Sequence, residues 1–426
     1  MSFKMNETLR SVARASVARG IVAISGLLLT ITLPLVLSLD QVGKFYLILT
    51  YSTFLSILMR MGLDYDVNGK IASVSGEARI IKFNYLVSLL TTSSLVAVFS
   101  LFVFYLITES DLFNIKASEF GYLIVSLGFS LAVSAFLFQL YRIDGHVFRA
   151  SLVRGLSING SFLISLIILS NVGELDEEST LCVMVIFTLI VSLINIFLYF
   201  YFYIGAFPIR RIGDRKDRNS SNLPFLFYSL LAFFIADVDY WVVAAHLDDE
   251  NLAIYATMKR VALLAAIFLD IGNLVAPKIL RNTMQNIKKE CKNLLHIRRL
   301  AFLFSLLSFT AAIFVFMFGE FLIGKIWGER FTTGFYPLVI FMVAYGLILA
   351  TGFSEALLIL KSNRRVMLQS MTIAFVSIVF LSNYLTAHFE LIGASLSFLI
   401  CAVGLRAYWS YKVFKMYNYG VYASWK

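Results

Sequence analysis

The sequence has little charge, few cysteines and few histidines, and each shortage excludes a class of protein. Only 15% of the 426 residues are charged and 59% are hydrophobic, so one water-soluble core could not bury the apolar surface. Three cysteines, an odd number, argue against a disulfide framework. The four histidines are dispersed at positions 146, 246, 296 and 388. We therefore predict no metal site and no cofactor.

The motifs of soluble enzymes are also missing. The chain has no nucleophile elbow, no phosphate-binding glycine loop and no dinucleotide motif. The net charge of +10 has no soluble module on which to form a basic face, so no nucleic-acid partner is expected. The outward loops described below are short and leave no room for a catalytic domain. The sequence thus predicts a protein that is not an enzyme and has no catalytic residues.

Long apolar runs, in contrast, follow one another along the whole chain. Twelve of them are long enough to cross a bilayer as helices, which predicts an all-α integral membrane protein of about twelve spans. A polar, charged stretch separates the first six from the last six and predicts an N-terminal lobe (1–206), a cytoplasmic linker (207–222) and a C-terminal lobe (223–426). The runs cover residues 20–39, 43–62, 80–107, 119–141, 150–170, 180–206, 223–246, 251–276, 300–318, 332–360, 366–387 and 390–411.

The basic residues predict the orientation of these spans. Thirty of the 36 Lys and Arg residues fall in alternate segments, four lie in the intervening segments and two, Lys259 and Arg260, lie within a span. Because cytoplasmic loops carry an excess of Lys and Arg, the first set is assigned to the cytoplasm. Both termini and the linker are then cytoplasmic.

An internal repeat relates the two halves of the chain. Four landmarks recur in the same order at an offset near 209 residues and at equivalent places relative to the spans, which favours a parallel duplication. The two six-helix lobes would then be related by a pseudo-two-fold axis along the membrane normal. The landmark pairs are Asp40 and Asp248, Tyr46 and Tyr255, Gly62 and Gly272, and Lys70 and Lys278.

Several short motifs resemble those of polysaccharide exporters. They are Arg60-Met-Gly-Leu-Asp64 after span two, Asp237-Val-Asp-Tyr-Trp241 in span seven, Tyr255 with the span that follows it, and Pro277-Lys-Ile279. With the span count and the division into lobes, the chain resembles O-antigen flippases of the Wzx type. These belong to the multidrug/oligosaccharidyl-lipid/polysaccharide (MOP) exporter superfamily.

The resemblance implies a function in polysaccharide and lipopolysaccharide biosynthesis at the bacterial inner membrane. The expected activity is alternating-access transport of an undecaprenyl-pyrophosphate-linked oligosaccharide, such as an O-antigen repeat unit, from the cytoplasmic to the outer leaflet. Expected partners are this lipid-linked cargo, membrane lipids, H⁺ or Na⁺ as coupling ion, and polysaccharide polymerase machinery. Two alternatives stay open: a drug or metabolite–cation antiporter of the same superfamily, and a membrane glycan polymerase.

Charged residues within the spans are the candidate functional residues, because such charges are costly in lipid and face protein or water. Asp237 and Asp239 in span seven lie at the same depth as Lys259 and Arg260 in span eight. At least one opposite-charge pair is therefore expected between these spans. At 100° per residue the two carboxylates point about 200° apart, so only one is expected to face span eight. The alternative role for all four is structural ion pairing.

The predicted cargo gives these cations a role, since Arg offers paired donors to phosphate oxygens. Five basic residues are predicted to bind the cargo, three at the cytoplasmic mouth and two deeper: Arg60, Arg142, Arg154, Lys259 and Arg260. Four acidic residues are predicted to couple an ion or to form ion pairs: Asp237, Asp239, Asp270 and Glu355. For the last two, positions near a basic cytoplasmic end are equally compatible with snorkelling.

Overall fold

A computed structural model describes residues 2–64, 66–67, 78–110, 120–172, 177–204, 223–285, 290–360, 363–417 and 420–424. These residues form helices and short connections, with no strand among them. The principal helices are α1 (Ser2–Val36), α2 (Leu39–Arg60), α3 (Ala78–Ser110), α4 (Gly121–Ile143), α5 (Val147–Ser151), α6 (Ser157–Val172), α7 (Glu177–Tyr199), α8 (Leu223–His246), α9 (Asp249–Gln285), α10 (Glu290–Trp327), α11 (Phe335–Ala350), α12 (Ser354–Leu360) and α13 (Arg364–Tyr417).

Eleven stretches of the described chain are long and apolar enough to cross a membrane, and the last of them, Arg365–Tyr417, contains two spans. Its helix α13 has 54 residues and would measure about 81 Å if straight, against a hydrocarbon core of about 30 Å. The backbone leaves the helical region at Glu390, with φ 51° and ψ −131°, and divides α13 into two parts. The prediction of an all-helical membrane protein with about twelve spans is therefore confirmed.

Exposed apolar side chains cover the outer faces of several spans. On α10 the residues Phe314, Phe316, Met317 and Phe321 are all more than half exposed. In water, a continuous apolar face of this kind would drive aggregation, whereas in a bilayer it is the surface that lipid covers. The same helix buries only 22% of its most apolar window inside the protein.

The helices pack into two compact units. One comprises Ile24–Leu37 and Lys44–Leu230, and the other comprises Met1–Ala23, Ser38–Gly43 and Leu231–Lys426. We call them the N-unit and the C-unit. The predicted lobes 1–206 and 223–426 and their pseudo-symmetry stay predictions, and the linker 207–222 lies in a part of the chain that the structure does not describe.

Equivalent hairpins begin the two halves of the chain. Only two residues, 37–38, separate α1 from α2, and only 247–248 separate α8 from α9. In the second hairpin the Asp248 carboxylate accepts a hydrogen bond from the Asn251 backbone N–H at 2.8 Å, which caps α9. Because short connections make consecutive helices antiparallel neighbours, the second hairpin places the charges of α8 beside those of α9. The equal connection lengths agree with the predicted duplication.

Span ten is shorter than the apolar run 332–360 that predicted it. Helix α11 ends at Ala350 and the separate helix α12 begins at Ser354. Gly352 between them has φ +76°, a conformation that favours glycine. A Cβ at this position would lie 1.8 Å from the carbonyl oxygen of Val421, so the chain near residues 420–424 packs directly against the break. Hydropathy could not show this break, because the residues on both sides of it are apolar.

Candidate functional site

A buried ion pair joins α8 and α9 inside the C-unit. The Lys259 Nζ donates to both oxygens of Asp239, at 2.7 and 2.8 Å, and to the carbonyl oxygen of Ala236 at 2.5 Å. These three acceptors match the three hydrogens of an ammonium group. The Lys259 side chain is 3% exposed and that of Asp239 is fully buried. The lysine is therefore saturated by the protein itself.

The carboxylate of Asp239 is equally well supplied with donors. The Tyr255 hydroxyl donates to its Oδ2 at 2.6 Å, and the Tyr240 backbone N–H donates to its Oδ1 at 3.0 Å. Tyr255 lies one helical turn before Lys259 on α9, so both side chains leave the same face of that helix. Complete hydrogen bonding is what allows a buried charge pair to persist in a low-dielectric environment.

Three aromatic rings enclose the ammonium group of Lys259. The distances from Nζ to the ring centroids are 4.3 Å for Tyr240, 5.2 Å for Phe398 and 5.7 Å for Phe341, all within the range of cation–π attraction. The rings come from α8, α11 and α13, so four helices of the C-unit meet at this lysine. We call Lys259, Asp239, Tyr255 and these three rings the lysine cage.

The predicted contact between spans seven and eight is confirmed by the Lys259–Asp239 pair. The expectation that only one carboxylate faces span eight is wrong, because Asp237 Oδ1 also lies 3.7 Å from the Lys259 Nζ. The expectation assumed that each side chain points straight out from its helix axis. The lysine side chain is long and flexible, so its ammonium group reaches a position between both carboxylates. Asp237 differs from its neighbour in being 33% exposed. It is the accessible member of the cluster.

The other predicted C-unit residues are not members of the lysine cage. Arg260 is half-buried on the next position of α9, pointing about 100° away from Lys259. Glu355 forms an ion pair with Arg406, and the Arg406 guanidinium lies 4.9 Å from the Trp409 ring centroid. This pairing ties α12 to α13 and gives Glu355 a structural partner. The side chain of Asp270 is not among those that the structure describes.

The predicted mouth arginines all lie in the N-unit. Arg60 is mostly buried, donates to Asp64 at 2.5 Å and to the Ser56 carbonyl oxygen at 3.1 Å, and is thereby held in place. Arg142 and Arg154 are exposed. The Arg154 guanidinium lies 5.1 Å from the ring centroid of Phe138, one helical turn from Arg142 on α4. The structure therefore brings these two arginines to one end of the N-unit.

Sequence reasoning missed a second buried lysine, which lies in the N-unit. Lys82 on α3 forms an ion pair with Asp144 at the end of α4, and the Tyr199 hydroxyl donates to Asp144 at 3.1 Å. Nearby, the Tyr85 hydroxyl donates to Asp66. The depth argument that paired spans seven and eight would also have paired Lys82, which begins span three, with Asp144, which ends span four. It was not applied to charges at the span ends.

Local helix geometry changes next to this network. Five-residue π-helical turns, Leu152–Leu156 and Phe200–Ile204, interrupt span five and end span six. Arg154 lies within the first turn, and Tyr203 in the second accepts a hydrogen bond from Arg149 at 2.5 Å. Such turns are rare and concentrate at functional sites. Within the described part of the chain, no group of three or more His, Cys, Asp or Glu side chains could hold a metal ion.

Comparison with solved structures gives the fold. Lipid II flippase MurJ in an inward closed conformation matches with a TM-score of 0.69 at 13% identity, over 94% of this chain and 87% of that chain. A crystal structure of MATE in complex with MaL6 matches with a TM-score of 0.66 at 14% identity, over 97% and 98%. A mutant of the Vibrio cholerae MATE transporter VcmN matches with a TM-score of 0.59 at 13% identity, over 96% and 99%.

No protein-family model matches the chain, and no curated protein sequence matches it significantly. The structural matches are transporters and a flippase rather than enzymes. They extend over nearly the entire chain, so the whole molecule and not one lobe carries the likeness. The chain therefore has the fold that the MATE and MurJ structures share.

Proposed function

We propose that this protein moves an undecaprenyl-pyrophosphate-linked oligosaccharide, such as an O-antigen repeat unit, from the cytoplasmic to the outer leaflet by alternating access. The supporting observation is the fold shared with a lipid II flippase over 94% of the chain. The residue motifs add the polysaccharide branch, since Arg60-Met-Gly-Leu-Asp64 and Asp237-Val-Asp-Tyr-Trp241 resemble those of Wzx-type flippases. The membrane is a bacterial inner membrane with both termini in the cytoplasm.

In this proposal the exposed arginines at the end of the N-unit receive the pyrophosphate. Arg142 and Arg154 are both accessible, and a guanidinium replaces the hydration of phosphate oxygens with paired donors. Arg60 contributes less directly, because it already donates hydrogen bonds to Asp64 and to the Ser56 carbonyl oxygen. The lipid tail stays in the bilayer, so the protein shelters only the polar part of the cargo.

The charges within the membrane spans take three roles in this proposal. Lys259 is saturated, so in the proposal it holds Asp239 and fixes α8 against α9 instead of contacting cargo. Arg260 is the deeper cation that contacts the cargo. Asp237 is the carboxylate to which a coupling H⁺ or Na⁺ binds, because it is partly exposed. Asp237 lies 3.7 Å from Lys259, so a cation bound to this carboxylate weakens the attraction between Asp237 and the lysine. Asp270 is a second candidate for coupling.

Transport of drugs or metabolites by cation antiport is the second candidate function. The MATE structures match over 97% of the chain with TM-scores near that of the flippase, which favours this alternative to the same degree at the level of fold. The charges bear on this choice. Lys259 already occupies the aromatic cage at Asp239, so a cationic drug would bind at Asp237, the accessible carboxylate.

Complementation of a flippase-null strain tests the proposal, with surface glycan and membrane-inserted protein measured together. Arg260→Ala should reduce surface glycan at unchanged protein level, and Arg260→Lys should restore part of it because the charge survives without the paired-donor geometry. Arg330→Ala is the matched control, because Arg330 is 77% exposed and its ion pair with Glu250, at 3.8 Å, is long. Wild-type protein that restores no glycan but confers drug resistance would favour the antiporter. Normal glycan from Arg260→Ala would remove Arg260 from the transport path.

A further inference from the structure

An apolar groove opens on the C-unit beside the break at Gly352. Its volume is about 450 Å³, within the range of small-molecule sites. Helix α11, the second part of α13 and the segment 420–424 form its walls. Its lining includes Ala350, Val403, Ala407, Tyr411, Phe414 and Tyr422.

The groove follows the axis of α13. Its lining residues on this helix run from Val403 to Phe414, eleven steps that span about 16 Å along the helix axis. Since α13 crosses the bilayer here, the groove runs in the direction of lipid acyl chains. Alanines at positions 350 and 407 provide the space.

The open side of the groove faces lipid. Tyr411 and Phe414 on its rim are 57% and 47% exposed. The segment 420–424 closes the end of the groove nearest the membrane surface: the Ala423 N–H donates to the Ala350 carbonyl oxygen at 2.9 Å, and the Ser424 N–H donates to the Arg298 carbonyl oxygen at 3.3 Å. An occupant therefore enters sideways from the membrane, and its polar end is stopped at this segment.

Positive charge surrounds the closed end. The Arg298 guanidinium lies 4.8 Å from the ring centroid of Tyr422, which lines the groove, and its buried Nε has no hydrogen-bond partner among the described residues. Lys415 is exposed one helical turn beyond Tyr411, on the same face of α13. Lys412, in contrast, is turned toward Tyr408, with Nζ 5.4 Å from that ring centroid. Arg298 and Lys415 thus lie at the groove end, and Lys412 serves as a control.

We propose that this groove binds an anionic glycerophospholipid, with one acyl chain between α11 and α13 and the headgroup phosphate on Arg298 and Lys415. Apolar burial alone would not select a lipid, because lipid tails are as apolar in the bilayer as in the groove. Selectivity comes from the cations, which favour an anionic headgroup over a zwitterionic one. Through the segment 420–424 the bound lipid holds the break at Gly352. This inference does not depend on which cargo the protein transports.

Native mass spectrometry of the full-length, delipidated protein tests the proposal with phosphatidylglycerol as probe. The wild type should retain one phosphatidylglycerol at least tenfold more strongly than phosphatidylcholine. Arg298→Gln with Lys415→Gln should abolish this preference, and Ala407→Trp should remove binding by filling the groove. The matched controls are Lys412→Gln and Ile400→Trp, the latter at an exposed position of α13 outside the groove. Both should bind as the wild type does.

Three outcomes would overturn the proposal. Equal retention of the two lipids by the wild type would mean that the headgroup is not recognised. Retention of phosphatidylglycerol by Ala407→Trp at the wild-type level would place the lipid elsewhere. Displacement of the lipid by millimolar inorganic phosphate alone would mean that the cations bind free phosphate and that the acyl chain adds nothing. Melting curves of each variant without lipid check that the protein is folded.

Discussion

Removing Asp239 should destabilise the C-unit more than any other single carboxylate change around Lys259. Asp239→Ala leaves the Lys259 ammonium, 3% exposed, with the Ala236 carbonyl oxygen at 2.5 Å and the partly exposed Asp237 carboxylate at 3.7 Å as remaining partners. Breaking a buried ion pair from one side costs about 3–5 kcal/mol. The Tyr255 hydroxyl also loses its acceptor, an overlapping cost of about 1–3 kcal/mol. Because the two costs overlap, the net loss is about 3–5 kcal/mol.

Asp237→Ala is the matched control. Its carboxylate is 33% exposed and 3.7 Å from the same ammonium, so the loss should stay below about 1 kcal/mol. The double variant Asp239→Ala with Lys259→Met should recover most of the lost stability, because no buried charge then stays uncompensated.

Thermal unfolding in a mild detergent, followed by size-exclusion fluorescence, measures all four proteins. We expect Asp239→Ala to melt on the order of 10 °C below the wild type, with Asp237→Ala close to the wild type and the double variant between them. Equal melting of Asp239→Ala and Asp237→Ala would refute the reasoning. So would a double variant that melts no higher than Asp239→Ala.

Two further predictions concern the break in span ten and the orientation of the chain. Gly352→Ala should lower the melting temperature and displace the segment containing Val421. The added Cβ would lie 1.8 Å from the carbonyl oxygen of Val421, and the φ of Gly352 is +76°. Gly404→Ala is the control: nothing lies within 4 Å of its added Cβ, so it should melt at or above the wild type. Reporter fusions should place Ser220 in the cytoplasm and Asp176 outside it, and an outward signal at Ser220 would overturn the orientation.

The number and kind of elements could be read from the sequence because the bilayer imposes a length on each span. Apolar runs of about twenty residues predict crossing helices one at a time, without knowledge of their neighbours. The apolar runs also predicted short connections, at 40–42 and 247–250, and the structure has short connections at 37–38 and 247–248. The break at Gly352 could not be read in this way, because hydropathy does not record backbone conformation.

The depth of each charged residue in the bilayer could also be calculated from the sequence, and it predicted the contact between α8 and α9. Rise per residue fixes how far Asp239 and Lys259 lie from the turn at 247–248. Rotation about the helix axis and the reach of a flexible stem are not fixed by spacing, so the approach of Asp237 to the same ammonium was missed. The pairing of Lys82 with Asp144 was missed although its depth signal was present.

Sequence alone therefore determined that the protein lies in a lipid bilayer, that it is all-helical and where its spans approximately begin and end. These properties depend on the chemistry of consecutive residues. Only the tertiary structure decided which charges are saturated and which are accessible. Lys259 and Arg260 are adjacent and alike in sequence, yet one is enclosed by Asp239 and three rings while the other is half-buried. The difference arises from the packing of four helices around one face of α9, and packing depends on residues far apart in the chain.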